Sequence, residues 1–184
     1  MARRHTPYYH KLIALGAEMA DRIGFDAAVR FTTVAEENQA TRERVGVYDV
    51  YYQGVLDVKG TDAEAFLEAH VVNGVASLTD GQVLYTSVLN EQGGMVDDLT
   101  LVRRSGDHFW VFPTPSRVDL VAAWLTERAR GRHAYITNIT SGTAYLSIQG
   151  PRSRDTLAKL TDVDLSTSVY ADFVASSGGG PPGP

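Results

Sequence analysis

Two adjacent carboxylates, Asp97 and Asp98, stand in the stretch Asn90 to Leu101, which reads NEQGGMVDDLTL. Paired acids can accept N–H groups from a ligand, hold a developing positive charge in place or move a proton. Alternation along the strand-like run Met95 to Val102 puts Met95, Asp97, Leu99 and Leu101 on one face and Val96, Asp98, Thr100 and Val102 on the other. Apart from the acids and Thr100, both faces are apolar. A strand of this kind is usually central and covered, so at least one carboxylate is expected to lose part of its water, at a cost unless a partner or ligand compensates. The plainer alternative is that the acids sit beside a hairpin, where water or the amides of Gly93 and Gly94 satisfy them. Periodicity leaves both open.

Other reactive groups are sparse. The absence of cysteine removes disulfides, thiolate nucleophiles, thiolate zinc sites and iron–sulfur clusters together. His5, His10, His70, His108 and His133 follow no metal-ligand spacing and read as structural or surface residues, so no metal is expected. Thr114 and Ser116 read as helix-cap residues rather than nucleophiles. A net charge of -5, with Arg3 and Arg4 beside His5 as the one basic cluster, argues against nucleic acid, whose phosphates need clustered Lys and Arg. No run approaches the roughly 20 apolar residues of a membrane span, and Met1 to Ile23 is amphipathic rather than a signal segment, so a cytoplasmic protein without membrane contact is expected. There is no Gly-rich strand-to-helix turn of the dinucleotide or Walker type.

The elements that must position the acids can be read in outline. Thr6-Pro7 starts a helix expected to run to about Arg22 on the stripe Tyr8, Leu12, Leu15, Met19. Thr33 to Glu36 is a capping box opening a second helix that ends near Gly46. Val47 to Lys59 reads as strand, with Gly54 as a bulge or close-approach point. Thr61 to Glu64 reads as another capping box, before a short helix through Phe66 and Leu67. Val83 to Leu89 and Met95 to Arg103 form a hairpin across Asn90 to Gly94. His108 to Phe112 is a strand, and Thr114-Pro115 opens a helix with Val118, Val121, Trp124 and Leu125 inward, closed by Gly131. Tyr135 to Ile139 and Ala144 to Ile148 are expected to pair, and a last short helix after Gly150-Pro151 carries Leu157 and Leu160. The fold class is therefore α+β, a mostly antiparallel sheet with helices packed on it, formed as one domain over residues 1–173 with a disordered Gly/Pro-rich tail at 174–184.

Several stretches carry a resemblance. Thr6-Pro7-Tyr8-Tyr9, the run Ala14-Leu15-Gly16-Ala17-Glu18-Met19 and the segment Arg44-Val45-Gly46-Val47-Tyr48-Asp49-Val50 resemble the opening of aminomethyltransferases. Val83-Leu84-Tyr85-Thr86-Ser87-Val88-Leu89-Asn90, followed by Gly93-Gly94-Met95-Val96-Asp97-Asp98-Leu99, resembles that family's tyrosine strand and its GG-x-x-DDL hairpin. Ile148-Gln149-Gly150-Pro151 resembles its QGP turn, and the matches keep their order from Thr6 to about Phe173. The chain thus resembles the N-terminal, folate-binding half of the glycine cleavage T-protein family. The resemblance implies tetrahydrofolate as cofactor, with the catalytic role at the pterin nitrogens falling on Asp98 by motif position. Tyr85, Asp97, Gln53 and Thr100 join Asp98 as folate-binding candidates. The alternative for Tyr85 is an ordinary buried sheet aromatic. A carboxylate suits a reaction that moves a methylene from an aminomethyl carrier to folate and releases ammonia, because the transferred group passes through a cationic, iminium-like species.

The chain also departs from the family. Tyr48 to Gly54 replaces FDVSHMG, so Gln53 stands where a methionine lines the folate pocket, and Val111 to Ser116 puts Pro113 where an asparagine-containing turn is usual. Nothing matches the later tyrosine-threonine-glycine-glutamate and RD-x-x-RLE segments, which supply glutamate and arginine to folate. Either a partner chain is expected to complete the site, or the tail marks a truncated or engineered end. The implied function is tetrahydrofolate-dependent one-carbon transfer from a small amine or methyl donor, aminomethyltransferase-like or demethylase-like. The alternatives are a non-catalytic folate-binding accessory protein or a subunit of a sarcosine or dimethylglycine oxidising complex.

Overall fold

In a computed structural model that describes residues 4–166, two compact units account for the chain, residues 4–52 with 144–166 and residues 53–143. The tail expected at 174–184 lies outside the described residues.

The first unit opens with β1 (Arg4–His5) and α1 (Tyr9–Ala14). The helix stops eight residues short of Arg22, because Gly16 takes φ +85°, a left-handed conformation that glycine adopts without a Cβ penalty and that ends helices. Leu15 is left 64% exposed, and Met19 enters β2 (Glu18–Arg22), which pairs antiparallel with β3 (Phe25–Arg30). β1 joins the far side of β3 in parallel, the exception in a mainly antiparallel chain. α2 (Val34–Glu43) begins as expected: Thr33 Oγ1 accepts from Glu36 N, and the Glu36 carboxylate accepts from Thr33 N at 3.1 Å. β4 (Gly46–Asp49) follows.

The single strand expected over 47–59 is two strands in different sheets. β5 (Leu56–Lys59) starts the second unit after Gly54, where the Val118 side chain occupies the space a Cβ would need. The close-approach reading of Gly54 therefore holds. α3 (Ala63–Glu68) comes next, but the Thr61 box does not form: Asp62 is the N-cap and its Oδ2 accepts from His133 N at 2.8 Å instead. β6 (Val83–Leu89), β7 (Met95–Ser105) and β8 (His108–Pro113) follow in sequence. A short 3₁₀ turn (Pro115–Arg117) leads into α4 (Val118–Arg128), and β9 (Tyr135–Asn138) ends the unit. The five strands lie in the order β6-β7-β8-β5-β9, antiparallel throughout.

One face of this sheet is the core. Leu56 and Val58 from β5, Leu99 and Leu101 from β7, and Phe109 and Val111 from β8 bury against Phe66 and Leu67 of α3 and Val121 and Leu125 of α4. The register then fixes the other face: Tyr85 and Ser87 from β6, Asp98 and Thr100 from β7, Trp110 and Phe112 from β8, and Asp57 from β5.

The chain returns to the first unit with β10 (Leu146–Gln149) and α5 (Ser153–Leu157). β10 pairs with β4, whereas β9 pairs with β5, so the two segments expected to pair with each other do not. Leu160 lies beyond α5 and is 64% exposed. In β4 both carboxylate oxygens of Asp49 are shut away from water without a hydrogen-bond partner among the described residues. Burial pushes this carboxyl up, and the Thr6 hydroxyl offsets part of that. Folded Asp49 therefore holds its proton more readily than unfolded Asp49, so its contribution to stability falls as pH rises from 3.8 through the raised value. Asp49→Asn is expected to remove that slope. Urea midpoints of both proteins against pH check it, and parallel profiles would contradict it.

Candidate functional site

The paired acids separate as alternation requires, and their surroundings differ. Asp97 lies on the core face, 4% exposed, and its Oδ2 accepts from the backbone N–H of Thr114 at 2.9 Å. This bond ties the start of β7 to the chain just beyond β8, where Leu99 pairs with Pro113. Of the two acids it is the buried one, and its donor is the Thr114 N–H, not a hairpin glycine. Thr114 contributes its main chain here and makes no side-chain cap.

Asp98 points to the opposite face and is half-buried. The Tyr85 hydroxyl donates to its Oδ2. Ser87 stands opposite Asp98, and Thr100 stands opposite both Tyr85 on one side and Phe112 on the other. Tyr85 is 61% exposed, so a phenol and a carboxylate share an accessible patch three strands wide. The buried-aromatic reading of Tyr85 is excluded by that exposure. Gln53 is placed differently: its Nε2 donates to Pro113 O at 3.1 Å and so holds the segment before β5 to the end of β8. Of the five candidates, the structure brings Tyr85, Asp98 and Thr100 together, sets Asp97 beneath them and engages Gln53 with main chain.

A second carboxylate, Asp57, stands on this face, and sequence reasoning misses it. Asp57 is 9% exposed and accepts from His108 Nε2 at 2.6 Å, from Trp110 Nε1 at 2.9 Å and from Lys59 Nζ at 2.7 Å. Burial would raise its carboxyl, but the hydrogen bonds and charges of Lys59 and His108 outweigh this and hold it below the ordinary aspartate range. The available signal was the alternation Leu56-Asp57-Val58, which puts a charge between two core residues. With three donors around it, Asp57 is committed to the fold. Of these two acids on the open face, Asp98 is the one beside an exposed phenol.

The fold and this face define a class: an antiparallel α+β protein whose open sheet surface carries a phenol–carboxylate pair. The chain belongs to the GCVT N-terminal domain family, whose profile matches residues 8–177. It is 37% identical over 178 residues to the aminomethyltransferase of Anoxybacillus flavithermus, covering 95% of this chain and 49% of that protein. To the aminomethyltransferase of Bacillus velezensis it is 36% identical over 171 residues, covering 93% and 46%. The crystal structure of glycine cleavage system aminomethyltransferase T from Bartonella henselae matches with a TM-score of 0.78 and 26% identity, over 86% of this chain and 44% of that one. The chain spans about half the length of the curated relatives it matches. No helix among the described residues is long and apolar enough to cross a membrane.

Proposed function

We propose that the chain is the folate-facing part of a tetrahydrofolate-dependent aminomethyltransferase, with Asp98 as its catalytic carboxylate. The observation that carries this reading is the pairing of Tyr85 with Asp98 on the open face of the sheet, while Asp97 is buried and bonded beneath. A flat heterocycle edged with N–H groups fits such a face: the phenol and Phe112 offer aromatic surface, and a carboxylate accepts N–H bonds. Tetrahydrofolate, when bound, supplies the nitrogens that take up the one-carbon unit. Tyr85 occupies one oxygen of Asp98 and so orients the carboxylate, leaving its other oxygen for the ligand. The fixed negative charge stabilises positive charge as it develops next to it. Thr100 lies beside both, and Asp97 and Gln53 act one step back by holding the ends of β7 and β8.

The remaining contacts to folate come, in this reading, from the half of the relatives' length that this chain does not match, supplied by a partner chain or by further sequence. The relatives' names favour an aminomethyl group as the unit transferred. A demethylase-like use of a methylated donor rests on the altered residues Tyr51, Tyr52 and Gln53 and on the Pro113 region.

Calorimetric titration with tetrahydrofolate, with a protein carrying the missing half present, tests the reading. Tyr85→Phe is expected to weaken binding by about two- to tenfold, the worth of one hydrogen bond of about 0.5–1.5 kcal/mol. A Tyr85→Phe titration that overlays the wild type would remove Tyr85 from the site. Absence of heat from both proteins would remove folate.

A further inference from the structure

A cavity of about 430 Å³ opens in the second unit, where the residues following α3 and the last turns of α4 meet the tip of the β6–β7 hairpin. Its lining includes His70, Val72, Leu89, Glu91, Trp124 and Arg128. It is separate from the face that carries Asp98: neither Tyr85 nor Asp98 lines it.

Arg128 is the feature to explain. It is half-buried, its guanidinium lies 3.9 Å from the centre of the Trp124 ring, and it makes no hydrogen bond or ion pair with any described residue. Glu127, the acid next to it, is taken by Arg130 at 2.8 Å. A partly desolvated cation stacked on an indole keeps its in-plane N–H edge for an acceptor, and the acceptor that matches a planar fork is a planar oxyanion. His70 completes this wall. Its Nδ1 is held at 2.6 Å by Phe66 O, and its ring stands edge-on to Trp124 at 5.7 Å. Apolar surface adjoins it, with Val72 59% and Leu89 37% exposed, and Asn90 and Glu91 at the hairpin tip supply the polar part of the lining. Glu91 at the same cavity disfavours a dianion such as phosphate, because one guanidinium cannot offset two charges beside a carboxylate.

We propose that this cavity binds a small organic carboxylate with a flat apolar body, the carboxylate on Arg128 and the body against Trp124, Val72 and Leu89. Such a ligand bridges α4 to the strand that carries Tyr85, since Val72 N donates to Ser87 O at 3.0 Å and Val71 bridges Val88. Occupancy therefore stiffens the edge of the hairpin without touching the Asp98 face. The site is independent of whether folate binds.

The chain has two tryptophans, so its indole N–H signals in nitrogen-15 NMR report two places. Titration with phenylacetate is expected to move the Trp124 signal saturably and leave the Trp110 signal, whose N–H is bonded to Asp57, unchanged. Trp124→Phe assigns the pair. Arg128→Gln is expected to weaken phenylacetate about tenfold or more, through loss of a charge-assisted, two-point contact, with the Trp110 signal in place to show that the fold survives. Benzylamine, the cationic counterpart, should produce no saturable shift. Unchanged phenylacetate affinity in Arg128→Gln, equal binding of benzylamine, or no response of Trp124 would each overturn the proposal.

Discussion

Asp98→Ala is expected to abolish tetrahydrofolate-dependent turnover while leaving the fold in place. The carboxylate is half-buried on the open face, and its phenol partner Tyr85 is 61% exposed, so truncation strands no buried donor. Its cost in stability should stay within about 0.5 kcal/mol, as for other surface changes. The catalytic cost is of another order. Removing a preorganised group that faces developing charge lowers turnover by about 10²–10³-fold. Asp98→Asn sharpens the result, because an amide oxygen can still accept from Tyr85 but carries no charge. Both variants should be inactive if charge is what matters, with unchanged urea midpoints. Wild-type-like turnover in Asp98→Ala would remove Asp98 from the chemistry.

The neighbouring acid is expected to show the reverse pattern. Asp97→Ala leaves the Thr114 N–H without its acceptor on the core face, where the carboxylate was 4% exposed. An orphaned buried donor costs about 1–3 kcal/mol, more when the lost partner was charged. For a protein of this size that lowers the melting temperature by roughly 2–12 °C. Asp97→Asn should recover part of the loss, since an amide oxygen accepts the same bond. Thermal and urea unfolding of the three proteins measure this, and an unchanged midpoint in Asp97→Ala would contradict the buried bond. Two adjacent carboxylates thus divide into one that holds the strand and one that stands on the open face, and the two substitutions are expected to separate stability from turnover.

How far this was legible in the residues depends on how local the cause is. The hairpin was readable because its connection is self-contained: Asn90 Oδ1 accepts from Gln92 N at 3.0 Å and from Gly94 N at 2.7 Å, and Gly93 takes φ +78°. The capping box at Thr33 is equally local. Tyr8, Leu12, Leu15 and Met19 keep helical spacing straight through Gly16, so the sequence predicts too long a first helix, and only the pairing of β2 with β3 shows that the chain has turned back. Nearness in sequence predicts a hairpin for the segments around Tyr135 and Leu146, whereas their partners, β5 and β4, lie some eighty and a hundred residues earlier in the chain. Alternation placed Asp97 and Asp98 on opposite faces but could not tell which face the helices would cover. The Asp57 cluster stayed hidden because its His108 and Trp110 partners are 51 and 53 positions away.

The most direct measurement is nitrogen-15 chemical-shift mapping of tetrahydrofolate on the labelled chain, with the protein carrying the missing half present. Perturbed backbone amides are expected at Tyr85, Ser87, Asp98, Thr100 and Phe112, the residues that share the open face, and the pattern should vanish in Asp98→Ala. Saturable folate binding that leaves those amides unmoved, with the shifts confined to other parts of the chain, would contradict the assignment of this face as the folate site.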